Sequence, residues 1–490
     1  MRRWLFLPID DRPITYGFPR MLAPLGGIEL VSPPRSLLGQ FLTPGSPVAL
    51  AAWLRENAAG CEGAILNLDM LAYGGLVASR TTQVPAAEAL LRLDLVRSLK
   101  AMGLQVLAAN VLMRLGITGS SREAAASHAL IQRWSQAVAD PARAAEALAL
   151  EQEIPPAALD EYRGARARNL ALSREAVQLV ARGGIDFLLL LQEDCTPFGL
   201  HRLEQAELTA YIAATGTAGR VRLLPGTDEG SLLLLARAAL QGRSPAMRPV
   251  FARESTAALP APYEDRSLLE TTALQIEASG ARVATPNEEA ASLLFVNTPV
   301  VRYGDMGEVE QPIDDTGEDY ADVTDGSGHL VTAIQEALAT GRSVAVADVA
   351  FANGADPRFT ARLLAAADWS RLTGYAAWNT AGNTLGTAIA MAVLRGLGQP
   401  GQEQAHGRAL LIRLLDDYVY QSAVRVRLNG WCRAQGYDTL HLGSAHPAAS
   451  AWVQEAMRQQ AGLVPGLRPG DIFSRLPWPR TFEVEVDLRS

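Results

Sequence analysis

The sequence predicts an α/β protein whose strands run parallel, and three observations carry that expectation. Short apolar runs recur along the chain and end in an acidic, amide or glycine cluster. Segments of helical periodicity separate them. The runs are continuously apolar rather than alternating, as strands covered on both faces are. Strand alternating with helix implies βαβ crossovers, and about eight such units suit a (β/α)-barrel with insertions. An open doubly wound parallel sheet gives the same pattern, and an extra run at residues 28–31 keeps it as the alternative.

Residues 4–9 form the first run and end at Asp10-Asp11; residues 64–68 end at Asp69, and residues 105–109 at Asn110. Residues 187–191 lead into Gln192-Glu193-Asp194, and residues 221–224 into Gly226-Thr227-Asp228-Glu229. The last three runs end at Asn297, Asp348 and Asn379. Helical periodicity fills residues 86–101, 169–181, 231–240, 331–339 and 384–397. Residues 122–168, rich in Ala, Arg and Glu and broken by Pro155-Pro156, are expected as a helical insertion. Residues 304–328, with Asp314, Asp315 and Asp325 among their acids, are expected as a long loop. The expected organisation is an α/β domain over 1–400, with 401–490 as a helical segment and a final short strand packed on it.

Composition removes several function classes. The chain has 490 residues, 48% hydrophobic and 20% charged, with a net charge of −8 and no basic run, which excludes nucleic acid and anionic membrane as partners. No apolar stretch is long enough for a membrane span. Asp10-Asp11-Arg12-Pro13 interrupts the first apolar run too early for a secretory leader, so a cytoplasmic protein is expected. Cys61, Cys195 and Cys432 are odd in number and lack C-x-x-C spacing, which argues against a disulfide framework and a structural zinc. Lys100 is the one lysine, and it lies in an amphipathic stretch, so Schiff-base and P-loop chemistry are set aside. There is no H-E-x-x-H, G-x-S-x-G, Walker A or early G-x-G-x-x-G. No cofactor is expected, although Asp and Asn oxygens leave Mg²⁺ or Ca²⁺ open.

Sites in parallel α/β folds lie outside the carboxyl ends of the strands. Glu193 and Asp194 are delivered into a Thr-Pro turn, and Asp228 and Glu229 follow a Pro-Gly turn. One acid from each segment would supply the two carboxylates of glycoside hydrolysis, with Asp194 or Glu193 as general acid and Asp228 or Glu229 as base or nucleophile. The bland alternatives are a turn-initiating Asp194 and an Asp228 that caps the helix near Ser231. Candidate substrate-binding residues are Asp10, Asp11, Arg12, Asp69, Tyr73, Asn110, Asn353, Asp356, Asn379 and Asn383, with Arg114 as an anion clamp and Trp378 as a stacking face.

Several of these motifs recur together. Pro8-Ile9-Asp10-Asp11-Arg12-Pro13, Asp69-Met70-Leu71-Ala72-Tyr73-Gly74-Gly75-Leu76, Gln192-Glu193-Asp194, Gly226-Thr227-Asp228-Glu229, Ala352-Asn353-Gly354-Ala355-Asp356 and Trp378-Asn379-Thr380-Ala381-Gly382-Asn383-Thr384 resemble the DUF4127 family of bacterial proteins. The resemblance extends to Asp416-Asp417-Tyr418-Val419-Tyr420-Gln421 and implies a shared fold and site, without naming a reaction. From the paired carboxylates, the expectation is a hydrolase acting on a polar, carbohydrate (glycosidic) substrate, a small molecule or oligosaccharide. A divalent-metal enzyme and a non-catalytic sugar- or metabolite-binding protein are the alternatives.

Overall fold

A computed structural model gives the fold and describes residues 1–117, 127–313, 318–324, 326–399 and 401–488. The chain forms two compact units: Met1–Asp11, Ile28–Leu234 and Tyr263–Asp265 in the first, and Arg12–Gly27, Leu235–Pro262 and Arg266–Ser490 in the second.

The first unit is built on six strands, β1 (Arg2–Leu7), β2 (Ile28–Val31), β3 (Gly63–Asn67), β4 (Gln105–Leu112), β5 (Phe187–Gln192) and β6 (Val221–Pro225). Their order is β2-β1-β3-β4-β5-β6, and every neighbouring pair is parallel. Every residue of β3 and β5 is buried, which is why these runs carry no polar alternation. The second unit holds β7 (Ala246–Phe251), β8 (Arg282–Val283), β9 (Ser292–Asn297), β10 (Val344–Asp348) and β11 (Gly374–Ala376), also parallel, in the order β8-β7-β9-β10-β11.

The parallel α/β class is thus as expected, and of the two arrangements the open sheet is the one present. Among the described residues no strands close into a barrel. The reason lies in the crossovers. In each sheet the second strand returns to the outer side of the first, which leaves an open edge, and a chain this long divides its core in two. Two strands escape the sequence pattern: Arg248 and Pro249 interrupt the apolar character of β7, and β8 has only two residues.

Helices cover the strands. Ala381–Arg395 packs on β10 and β11, and an added Cβ at Gly374 would lie 2.5 Å from the Ala388 carbonyl oxygen, so strand and helix meet backbone to backbone. The expected insertion at 122–168 is helical over its described part, with His128–Ala137, Ala144–Glu153 and the start of Pro156–Ala181; residues 122–126 lie outside the described residues. Ile131, Trp134, Leu150 and Tyr162 give these helices their own small core. Residues 304–328 carry the short strand Gly304–Asp305 and a helical turn at Ala321–Thr324, while Asp314, Asp315 and Asp325 lie outside the described residues. Beyond residue 400 come the helices Glu403–Arg413, Leu414–Val424 (π-type), Arg425–Ala434 and His446–Gln459. The antiparallel pair Ile472–Arg475 and Glu485–Leu488 follows, all of it in the second unit. Among the described residues no helix is long and apolar enough to cross a membrane.

Candidate functional site

In the first sheet the strand order reverses between β1 and β3, and such a switch point opens a crevice at the carboxyl ends of the strands. Asp10 and Asp11 follow β1, Asp69 follows β3, and all three are buried. Asp69 sits in the first turn of the helix Leu68–Tyr73, where an acid commonly caps. Here Asn67 does that work: its Oδ1 accepts from the backbone N–H groups of Asp69 (3.0 Å) and Met70 (3.1 Å). The Asp69 carboxylate therefore turns toward β4. It accepts from the Val111 N–H at 2.8 Å and from Asn110 Nδ2 at 3.2 and 3.3 Å. Ser173 Oγ lies 2.6 Å from Asn110 Oδ1 on the other side of the amide, whose nitrogen faces Asp69. Asp69 is 0% exposed, and burial pushes its carboxyl up to about 7; the Glu193 charge adds to this, while the Val111 and Asn110 hydrogen bonds oppose it.

At the tip of β5, Glu193 and Asp194 each meet an arginine. Arg80 and Glu193 form a buried ion pair, and Arg114 Nη1 lies 3.5 Å from Asp194 Oδ2, with both side chains partly exposed. Burial and the Arg114 charge lower the Arg80 guanidinium to about 10, against the pull of Glu193 and Asp194. The cluster thus grades from Asp194 and Arg114 at the solvent side to Asp69 inside. Glu193 Oε2 is among the buried polar atoms in it that make no hydrogen bond of ordinary geometry. Burial raises the Tyr73 phenol and the Asp69 charge adds to that, against Arg168, which lies over the ring at 4.1 Å and hydrogen-bonds the phenol. A buried carboxylate oxygen without such a bond, beside a carboxyl of raised pKa, marks a candidate ligand contact.

Asp228 and Glu229 stand beyond β6, next in the sheet to β5, and both are buried. Glu229 folds back so that Oε2 accepts from the Thr227 N–H at 2.8 Å. Gly226 permits this, with φ +131° and room for no side chain: a Cβ there would lie 1.8 Å from Glu229 Oε1.

The remaining candidates belong to the second unit. Arg12 lies 3.7 Å from Glu483 and over the Trp478 ring. Asp356 caps the helix Pro357–Ala366, accepting from the Arg358 (2.9 Å) and Phe359 (3.2 Å) N–H groups, and its own N–H donates to Asp348 Oδ2 at 2.8 Å. Asn297 Nδ2 donates to Asp348 Oδ1 at 2.9 Å. Burial lifts both carboxyls, Asp356 to about 7 and Asp348 well above its ordinary value, with the Asp356 charge adding to the latter. Asn353 and Asn379 adopt left-handed backbone conformations (φ +62° and +66°), which Asn tolerates better than most residues. The Asn353 N–H donates to the Asn379 carbonyl at 2.8 Å, and its Nδ2 to Asp305 Oδ1 at 2.9 Å. Trp378 packs against Phe482 with its buried Nε1 lacking a hydrogen-bond partner, and Asn383 Nδ2 donates to Thr380 Oγ1 at 3.3 Å. The candidate acids and amides thus divide between the tips of two sheets rather than ringing one. A cavity of about 530 Å³ lies at the amino end of the second sheet, lined by Arg243, Ser244, Met247, Ser292 and Ser343 among others, and holds no carboxylate.

One constellation in the first unit escaped the sequence reading. Cys195, His201 and Asp265 are all buried and bring a sulfur, a ring nitrogen and a carboxylate oxygen within 4.8 Å of one another. Cys195 follows β5, and His201 lies in the first turn of the helix Leu200–Ala214. Asp265 arrives from a separate segment, held where the Cys195 N–H donates to the Tyr263 carbonyl at 3.0 Å. Burial drives the His201 imidazole down to about 4, against the Asp265 charge, so the ring is neutral at neutral pH. The only hint in the sequence was the six-residue step from Cys195 to His201.

Comparison with known proteins adds the family and nothing finer. A family model described as "Protein of unknown function (DUF4127)" matches residues 4–487, nearly the whole chain. No curated protein and no solved structure gives a significant match.

Proposed function

We propose a function from the site itself, because the chain belongs to the DUF4127 family and that membership names no reaction. The first unit is a hydrolase of a polar, carbohydrate-class substrate that works by paired carboxylates at the tips of β3 and β5. One observation carries the reading. Asp69 is relieved of helix capping by Asn67, fully buried, and holds its proton up to about pH 7, the range in which a general acid is most effective.

Asp69 donates its proton to the leaving oxygen, and the Val111 N–H and Asn110 Nδ2 stabilise the carboxylate left behind. Asp194, on the solvent side and steered by Arg114, serves as base toward water or as nucleophile. Glu193 Oε2, without a hydrogen bond of ordinary geometry, and the Tyr73 phenol take substrate hydroxyls. This departs from the expectation that Glu229 supplies the second carboxylate, since the Glu229 carboxylate is turned onto its own turn, and it prefers Asp194 to Asp228, which is buried beyond β6. A reducing compartment such as the cytoplasm goes with the reading, because none of Cys61, Cys195 and Cys432 is in a disulfide.

The test is a panel of nitrophenyl glycosides assayed with wild type and Asp194→Asn. Wild type should release nitrophenol from at least one sugar, and Asp194→Asn should lose about 10²–10⁴ of that rate while still binding the sugar. No hydrolysis of any glycoside, or an Asp194→Asn enzyme as fast as wild type, removes the assignment.

A further inference from the structure

We propose that Cys195, His201 and Asp265 form a binding site for a borderline-soft divalent cation, of which Zn²⁺ is the natural occupant. The inference goes beyond the acid/base reading and does not use Asp69.

Three features support it. The first is the buried imidazole. His201 is 0% exposed, its ring meets the Thr196 backbone, neither ring nitrogen makes a hydrogen bond of ordinary geometry, and Nε2 stands 3.8 Å from Asp265 Oδ2, too far to donate. Buried histidines nearly always satisfy at least one nitrogen, and a metal ion is a partner that satisfies an acceptor nitrogen. The second is fit. Tetrahedral zinc bonds of about 2.0–2.3 Å put ligand atoms about 3.5 Å apart. The donors here already lie within 4.8 Å of one another, so side-chain adjustments of about an ångström, with no backbone change, close the set. Gly199 keeps the space beside the ring, since a Cβ there would press on His201 Nδ1 at 3.0 Å and Leu115 Cδ2 at 2.8 Å.

The third is donor chemistry and support. A thiolate, a neutral imidazole and a carboxylate together balance a dication, which lets a buried ion sit without uncompensated charge. Sulfur and nitrogen donors select Zn²⁺ over Mg²⁺ or Ca²⁺. Gln205 Nε2 donates to Asp265 Oδ2 at 2.6 Å and to Gln192 Oε1 at 3.0 Å, while Arg202 reaches the same carboxylate oxygen at 3.2 Å. Ligating carboxylates are commonly anchored in this way. Gln192 Nε2 in turn donates to the Glu193 carbonyl at 2.9 Å, so the site is tied to the strand tip that carries Glu193 and Asp194. Three protein ligands leave a fourth position for water or substrate, the pattern of reactive rather than purely structural zinc. Pro197 and Phe198, between two of the ligands, are exposed, so the site lies one turn beneath the surface.

The experiment uses the full chain after exhaustive dialysis against a chelator. Titration with Zn²⁺ should show about one tight equivalent per chain. Cys195→Ser and His201→Gln should each weaken binding at least tenfold, and Gln205→Ala by about 10–100-fold. Co²⁺ in place of Zn²⁺ should give a thiolate charge-transfer band that Cys195→Ser abolishes. Because ligand variants can misfold, the wild type supplies its own control. Zn²⁺ should protect Cys195 from iodoacetamide, read by mass spectrometry, and leave half-buried Cys61 as reactive as before. Less than a tenth of an equivalent of bound Zn²⁺, or Cys195 alkylation at the same rate with and without Zn²⁺, overturns the site and leaves a thiol beside an imidazole.

Discussion

Replacing Asp69 by Asn removes a titration from the folded protein while keeping the side chain's shape, since the amide oxygen still accepts from the Val111 N–H. In the wild type the Asp69 carboxyl titrates at about 7 in the fold, against 3.8 for its ordinary value. Three pKa units correspond to about 4 kcal/mol at about 1.4 kcal/mol per unit, an upper figure because partial relaxation reduces it. The sign follows from proton counting. Between pH 4 and pH 7 the folded protein holds more protons than the unfolded chain, so stability falls as pH rises. Asp69's contribution is complete below its unfolded pKa and is lost as pH passes through about 7. The Asn variant lacks this slope. Amide hydrogen exchange of peptides spanning β3 and β4, corrected for intrinsic rates, reads the local opening free energy of both proteins at pH 5 and pH 8. About two of those units lie between pH 5 and pH 7, so relative to the variant wild type should lose about 2–3 kcal/mol across the interval. A wild-type-minus-variant difference that stays constant to within about 0.5 kcal/mol would show that Asp69 ionises as an ordinary carboxylate. The proposed proton donor would then be gone.

Three further outcomes test the surroundings. Arg80→Met leaves the buried Glu193 carboxylate without its counter-charge and should cost about 3–5 kcal/mol in urea unfolding, with Arg80→Met/Glu193→Gln recovering part of it. Gly226→Ala forces a side chain into a positive-φ turn and against Glu229, so it should cost at least about 1–3 kcal/mol by the same measurement. Asp356→Ala removes a helix cap and should destabilise the second unit by about 0.5–2 kcal/mol at pH 5, where an Asn replacement that keeps the cap should be nearly silent.

Much of this was legible in the sequence, and the limits have physical causes. The apolar runs marked β3, β4 and β5 because strands buried on both faces need no polar alternation. The gathering of Asp69, Asn110, Glu193 and Asp194 followed from parallel strands sharing one end. What sequence could not show was that the runs fall into two sheets, since a crossover within a ring and one within an open sheet leave the same pattern of residues. Nor could it show which acid is withheld from capping. That depends on the helix starting at Leu68, directly after β3, so that Asn67 takes the cap and Asp69 points away. The fold-back of Glu229 depends on one glycine's backbone angle. Asp265 was invisible as a partner of Cys195 and His201 because it sits on no strand and comes from a distant segment, held by tertiary hydrogen bonds at Tyr263 and from Gln205.

The most direct measurement compares glycosides of poor and good leaving groups with wild type and Asp69→Asn. Loss of a proton donor hurts most where the leaving oxygen most needs a proton. The variant should lose about 10²–10⁴ of its rate on an alkyl glycoside and much less on a dinitrophenyl glycoside, and the pH-profile limb near 7 should vanish. Equal losses on both substrates with that limb intact would mean that Asp69 shapes the strand tip and transfers no proton.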